Sequence, residues 1–209
     1  NSKEFGKIVA DVFTANGIKV LLFKNHRPTP ELSFTVRDKK CHGGIVLTAS
    51  HNPPEYNGYK VYWNDGAQIV PPHDEAIINE VYSVKFDEIK FNGNDDLIEW
   101  IGDEQDDVYI DACIKNSTYQ DVEKGNLNIV FTSIHGTTYA TVPKALEKAG
   151  FKKIDLVKEQ MIPSGNFPTV ASPNPEEPAA LEMAMDLAKI TNADIVIGTD
   201  PDGDRLGIA

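Results

Sequence analysis

Apolar and polar positions follow two rhythms along the chain, one of helical period and one of short continuous runs, and the switches between them predict a mixed α/β order. Phe5, Ile8, Val9, Val12 and Phe13 recur at helical spacing behind Asn1 and Glu4, a candidate capping pair, with Gly17 as the stop. Residues 18–23 form a nearly continuous apolar run of the kind a buried parallel strand shows, followed by a polar segment over 24–27. Thr29-Pro30-Glu31 has the form of an N-cap, a first-turn proline and a first-turn acid, and predicts a helix to about Lys40. Residues 43–48 predict the next strand, and a serine segment follows at its C-terminal end, where open α/β sheets place their active sites. Apolar stretches over 59–63 and 67–70 flank Asn64-Asp65-Gly66 and predict a hairpin; Pro71-Pro72 then interrupts, and Asp74 starts another helix.

Residues 83–107 read as irregular and acid-rich, with a loop at Asn92-Gly93-Asn94-Asp95-Asp96, and a helix over 106–114 is expected to close a first domain. A boundary is placed within 115–125. Beyond it the stretches 127–131, 142–146, 154–157, 179–190 and 193–197 alternate strand and helix patterns, which predicts a second α/β unit. Leu206-Gly207-Ile208-Ala209 reads as the start of a buried strand. At about 100–200 residues per domain, 209 residues allow one or two domains, and the pattern favours two, 1–118 and 119–209. The chain starts without methionine on a helix pattern and stops on a strand pattern, so a piece of a longer enzyme is expected. No short-period repeat or low-complexity tract is present.

Charge and cysteine usage narrow the chemistry. A formal net charge of -12 repels polyanions and gives no footing for nucleic acid or an anionic membrane surface, so a phosphorylated ligand must be held by local groups. Cys41 and Cys113 lie far apart and outside any metal-ligand spacing, and are expected to be buried free thiols. No stretch approaches the roughly 20 apolar residues of a membrane span, and no signal-peptide pattern opens the chain; the expected compartment is a reducing cytoplasm.

Two motifs carry candidate chemistry. Thr48-Ala49-Ser50-His51-Asn52-Pro53 puts a serine at a strand end with backbone amides nearby, although such turns also form for purely local hydrogen bonding. A Ser-His-Asp hydrolase is disfavoured, because the adjacent His51 is poorly placed as its base and no Gly-x-Ser-x-Gly elbow is present. Asp200, Asp202 and Asp204 alternate after the apolar residues 195–198, and Pro201 and Gly203 bend the backbone so that the carboxylates can converge. An EF-hand loop fails because Arg205 occupies the slot that needs glycine. Three clustered carboxylates repel one another unless a cation sits among them, which points to a magnesium site; Arg205 beside it suits a phosphate or a ligand carboxylate. Serine and carboxylates together point to phosphoryl transfer. Lys60, on the strand that returns from the serine loop, could carry a proton or face the transferring group, or simply be a solvated surface lysine. His135-Gly136 and Ser172-Pro173-Asn174-Pro175-Glu176 are lesser candidates that a loop position explains equally well.

These residues resemble the α-D-phosphohexomutase superfamily of phosphoglucomutases and phosphomannomutases. The likeness runs through Arg27-Pro28-Thr29-Pro30, the segment from Gly44 to Pro53, Asn57-Gly58-Tyr59-Lys60, His135-Gly136, Asn174-Pro175-Glu176 and Asp200-Pro201-Asp202-Gly203-Asp204-Arg205, with residues 57–69 most similar to the branch of phosphoglucomutase-2 and phosphopentomutase. The resemblance implies an α/β fold: two consecutive mixed domains of the phosphohexomutase type, three-layer α/β/α and both incomplete, without the later domains that recognise the sugar and clamp its phosphate. It implies that Ser50 carries a phosphoryl group and that Mg²⁺ is held by Asp200, Asp202, Asp204 and a phosphoserine oxygen. Lys60, Arg205 and His51 are implied as electrostatic or acid/base helpers, and glucose 1,6-bisphosphate as activator. The implied activity interconverts glucose 1-phosphate and glucose 6-phosphate, with phosphopentomutase or phosphomannomutase as alternatives within the class. A non-catalytic sugar-phosphate or metal-binding module is the alternative from another class. Sugar phosphates and the missing C-terminal domains of the same polypeptide are the expected partners, and the fragment alone is expected to be inactive.

Overall fold

The computed structural model describes residues 1–119 and 122–209. Their contacts define two compact units: one holds residues 1–26, 32–48 and 58–105, the other 27–31, 49–57 and 106–209. The expected boundary within 115–125 falls partly on residues 120 and 121, outside the described residues. The helix expected to close the first domain runs Asp103–Lys115 (α4), and its residues from Asp106 onward belong to the second unit. Among the described residues no helix is long and apolar enough to cross a membrane.

In the first unit, α1 (Ser2–Ala15) buries Ala10 and Thr14; of its apolar stripe Val9, Val12 and Phe13 are half-buried, while Phe5 and Ile8 stay exposed. Gly17 ends it at φ 78°, as expected, but Asn1 caps through its backbone alone: its carbonyl accepts the Phe5 N–H at 2.9 Å and no side-chain cap forms. The strand expected over 18–23 is β1 (Val20–Phe23), and it is half-buried rather than buried. The helix opening at Thr29 is α2 (Thr29–Asp38). Next come β2 (Gly43–Leu47), β3 (Tyr59–Trp63) and α3 (His73–Ser83). β2 and β3 pair antiparallel with Gly43 opposite Trp63 and Leu47 opposite Tyr59. The Asn64-Asp65-Gly66 turn forms, with the Gly66 N–H on the Trp63 carbonyl at 3.0 Å. Its return arm makes one bridge, Tyr62 to Gln68, on the other edge of β3, with the Trp63 N–H on the Ala67 carbonyl at 2.8 Å and the Ile69 N–H on the Val61 carbonyl at 3.0 Å.

The acid-rich stretch 83–107 is not irregular throughout. It contains β4 (Ile98–Ile101), which pairs parallel with β1, Val20 opposite Ile98 and Phe23 opposite Ile101. The 92–96 loop before it docks on α1: the Asn94 N–H donates to Thr14 Oγ1 at 3.0 Å.

The second unit is built on a four-stranded sheet in the order β6 (Lys153–Leu156), β5 (Asn128–Thr132), β7 (Ile195–Thr199), β8 (Leu206–Ile208). β5 pairs parallel with both neighbours, and β8 returns antiparallel on β7. Val130, Phe131 and Val196 are buried in it, as continuous apolar strands of a covered sheet should be. α5 (Val142–Lys148) precedes β6, and α6 (Glu182–Thr191), led in by a 3₁₀ turn over Pro178–Leu181, packs Ala184 against Val130, Val157 and Val196. Two expectations fail here. Leu206 and Ile208 are 61% and 66% exposed, because β8 lies at the sheet edge; and neither cysteine is buried, Cys113 being exposed and Cys41 half-buried.

Candidate active site

β7 delivers the acidic loop. After Thr199 the chain turns through Pro201 and Gly203 and returns as β8, with the Asp200 N–H on the Arg205 carbonyl at 3.3 Å and the Gly203 N–H on the Asp200 carbonyl at 3.1 Å. Gly203 holds φ 70°, and a side-chain carbon there would fall 2.6 Å from Thr138 and 2.8 Å from Pro28, so only glycine closes this turn. The turn brings one oxygen each of Asp200, Asp202 and Asp204 within 4.8 Å of one another, Asp200 and Asp202 buried and Asp204 exposed. Burial pushes the Asp200 carboxyl well above the usual carboxylate range, and the charge of Asp202 and a hydrogen bond with it add to this; the Arg205 N–H and the Ser50 hydroxyl pull the other way. A close set of hard oxygens that cannot all ionise without positive charge among them fits a divalent cation of the magnesium or calcium kind.

The serine loop, 49–57, belongs to the same compact unit as this turn. The Asn52 N–H closes a tight turn on the Ala49 carbonyl at 3.0 Å, and Ser50 sits at φ 55°, in the left-handed region that costs a non-glycine residue about 1–3 kcal/mol. Its hydroxyl donates to Asp200 Oδ2 at 3.0 Å, across 150 residues of sequence, and lies 3.2 Å from His51 Nδ1. The side chain therefore serves a long-range contact, not just the local hydrogen bonding of its turn.

The structure thus brings together Ser50, His51, Asp200, Asp202 and Asp204. Arg205 joins through its backbone, whose N–H donates to Asp200 Oδ1 at 3.0 Å, while its guanidinium lies 3.5 Å from Glu176. Lys60 lies on β3 in the first unit, in register with Val46. His135 is structural: it is buried, its Nδ1 bonds the Ile162 carbonyl and its Nε2 bonds Thr169 Oγ1, both at 2.9 Å. The turn it anchors supports the acidic loop. Thr137 donates its N–H and its hydroxyl to the Pro201 carbonyl, at 2.8 and 2.9 Å, and Thr138 Oγ1 bonds Thr199 Oγ1 at 2.6 Å.

Sequence reasoning missed these threonines and also Thr29. Taken from the pattern as an N-cap, Thr29 turns its hydroxyl to Asp202 Oδ2 at 3.3 Å instead. Glu31, taken as a first-turn acid, is fully buried with no donor from elsewhere on either oxygen. Burial, a hydrogen bond with Asp106 and the charge of Asp106 push its carboxyl up to about 8, against the pull of Arg27. Arg27 Nε donates to Asp106 Oδ1 at 2.6 Å, both side chains being almost wholly buried. The signal available was the Arg27-Pro28-Thr29-Pro30 motif itself.

Residues 1–88 match the family model for phosphoglucomutase/phosphomannomutase alpha/beta/alpha domain I, and residues 107–209 that for domain II, leaving only 89–106 unmatched. The whole chain is 39% identical to a Haemophilus influenzae protein named "Probable phosphomannomutase" and 40% identical to a Staphylococcus aureus phosphoglucomutase. It spans 43% and 38% of those relatives' lengths. A Thermus thermophilus structure assigned as a phosphomannomutase superposes with a TM-score of 0.80 at 25% identity, over 99% of this chain and 45% of that one. Paramecium parafusin, a phosphoglucomutase in its open form, shares the fold with a TM-score of 0.74 at 18% identity, over 99% of this chain and 43% of that one. With both domain models matched in order, and with the serine loop and acidic turn meeting in space, the chain belongs to the phosphoglucomutase/phosphomannomutase family.

Proposed function

We propose that the chain supplies the phosphoserine and metal loops of a magnesium-dependent phosphomutase that interconverts glucose 1-phosphate and glucose 6-phosphate. The observation that carries this reading is the hydrogen bond from Ser50 to Asp200, which sets a hydroxyl able to hold a phosphoryl group against a carboxylate cluster able to hold a cation. Asp200, Asp202 and Asp204, with an oxygen of phosphorylated Ser50, would hold the magnesium, which when bound supplies positive charge to offset that of the phosphoryl oxygens.

In the resting protein Ser50 carries the phosphoryl group. A free sugar hydroxyl oxygen attacks the phosphorus and gives its proton to a base, and the bond to Ser50 Oγ breaks with that oxygen taking up a proton, as a sugar bisphosphate forms. After the bisphosphate turns over, Ser50 Oγ attacks the other phosphorus, the P–O bond to the sugar breaks with the sugar oxygen taking up a proton, and the phosphoserine is restored. The single proton of the Ser50 hydroxyl has two acceptors within reach, Asp200 Oδ2 and His51 Nδ1, and His51 is the one able to take it when Asp200 holds a cation. Lys60 and Arg205 serve as electrostatic helpers for the transferring group. Glucose 1,6-bisphosphate acts as activator by phosphorylating Ser50. Sugar phosphates are the ligands, further domains of the same polypeptide complete the site, and the cytoplasm is the compartment.

Mannose phosphates are the second reading, since the relatives named for glucose and for mannose are equally similar to this chain. Ribose phosphates remain the third arm of the test. Assay of the complete protein with Mg²⁺ and a trace of glucose 1,6-bisphosphate, on the 1-phosphates of glucose, mannose and ribose, should show a preferred sugar whose turnover Ser50→Ala abolishes. Turnover that survives Ser50→Ala would exclude the phosphoserine mechanism, and binding of sugar phosphate without exchange would favour a non-catalytic module.

A further inference from the structure

Between Arg27 and Glu31 the chain makes a short excursion into the second unit, and both of its ends meet one residue of α4. Arg27 pairs with Asp106, and the buried Glu31 carboxyl lies beside the same Asp106. Between these anchors stands Thr29, only 5% exposed, at the start of α2. Pro30 follows it within the first turn, where a missing N–H costs nothing, so the excursion is stiff as well as pinned.

Both donors of Thr29 are directed at Asp202. Its N–H donates to the Asp202 carbonyl at 2.8 Å, and its hydroxyl donates to Asp202 Oδ2 at 3.3 Å, although the two residues are 173 apart in sequence. Pro28 closes the same contact from the side, packing where a side chain on Gly203 would stand. The backbone bond fixes where the loop runs. The hydroxyl bond fixes the plane of the carboxylate, which a backbone bond cannot do.

We propose that Thr29 is a positioning residue for Asp202, orienting its carboxylate for cation binding while the Arg27–Asp106–Glu31 cluster holds Thr29 in place; this rests on Asp200, Asp202 and Asp204 being the cation site. Groups that bond to a ligating carboxylate set its orientation and basicity, and losing one typically weakens metal binding about 10–100-fold. Thr29→Val keeps the branched shape and the backbone bond to Asp202 and replaces only the hydroxyl, by a methyl.

The test is calorimetric titration of Mn²⁺ and of Mg²⁺ into the complete, metal-stripped protein, with the melting temperature of each stripped variant measured in parallel. Thr29→Val should weaken cation binding by about 10–100-fold while Thr29→Ser stays close to the parent, and the stripped melting temperatures should not follow that order. Thr29→Ala stands in if the valine variant does not fold. Parental affinity in Thr29→Val, or equal weakening in Thr29→Ser, would overturn the proposal while leaving the cation site intact. Parental binding that Asp202→Asn abolishes identifies that site; failure of the parent to bind either cation would overturn the site and the proposal together.

Discussion

Ser50 and Glu31 show how single residues in this chain take their character from partners distant in sequence. A serine at positive φ is disfavoured on its own, and the bond to Asp200 together with the tight turn at Asn52 is what over-determines it. Glu31 is the titrating counterpart. Its carboxyl is raised from an ordinary 4.5 to about 8, so the folded protein holds a proton there that the unfolded chain releases. The stability this proton supports is complete below about pH 4.5 and is lost as pH rises towards 8. Glu31→Gln keeps a donor towards Asp106 and cannot ionise. The variant should therefore gain in melting temperature over the parent as pH rises from 5 to 8, and a constant difference across that range would contradict the assignment. The acidic turn and the serine loop were legible in the sequence because their spacing is local. Thr29, Thr137 and Thr138 were not, because a threonine that bonds across the fold looks in sequence like any cap or turn residue.

Among the elements, the strands divide by the distance to their partners. β5 and β7 read clearly from continuous apolar runs, and in the structure they pair and bury Val130, Phe131 and Val196. β4 did not, since Ile98-Glu99-Trp100-Ile101 is only four residues long, sits in acidic surroundings and pairs with β1 far upstream. The 67–70 arm misled in the opposite sense: a strong turn signal predicted a full hairpin, and the arm forms only a single bridge before Pro71-Pro72 interrupts it. Energetically the sheet of the second unit rests on its centre. Phe131 has no exposed surface, and Phe131→Ala should cost about 3–5 kcal/mol of unfolding free energy, by transfer and cavity terms together. Truncating the edge residue Leu206 to alanine, from a 61% exposed position, should cost far less. Chemical denaturation of the two variants checks the order, and equal losses would contradict the central placement of β5.

At the scale of the whole molecule, two α/β/α domains of the family follow one another within a chain that spans about 40% of its curated relatives' length. The second unit gathers to itself the serine loop from 49–57 and the Arg27–Glu31 excursion, so the candidate site is assembled from three stretches that the sequence keeps far apart. That explains why the motifs persuade only as a pair: what is gathered here is a serine hydroxyl against a carboxylate cluster and the groups that hold them. The most direct measurement is to expose the complete protein to glucose 1,6-bisphosphate labelled in its phosphoryl groups, with Mg²⁺, and to locate the label by peptide mass spectrometry. The account predicts label on Ser50 that added glucose 1-phosphate removes into sugar phosphate, and none in Ser50→Ala. Stable label on another residue, or sugar phosphate exchange with Ser50 unlabelled, would contradict it.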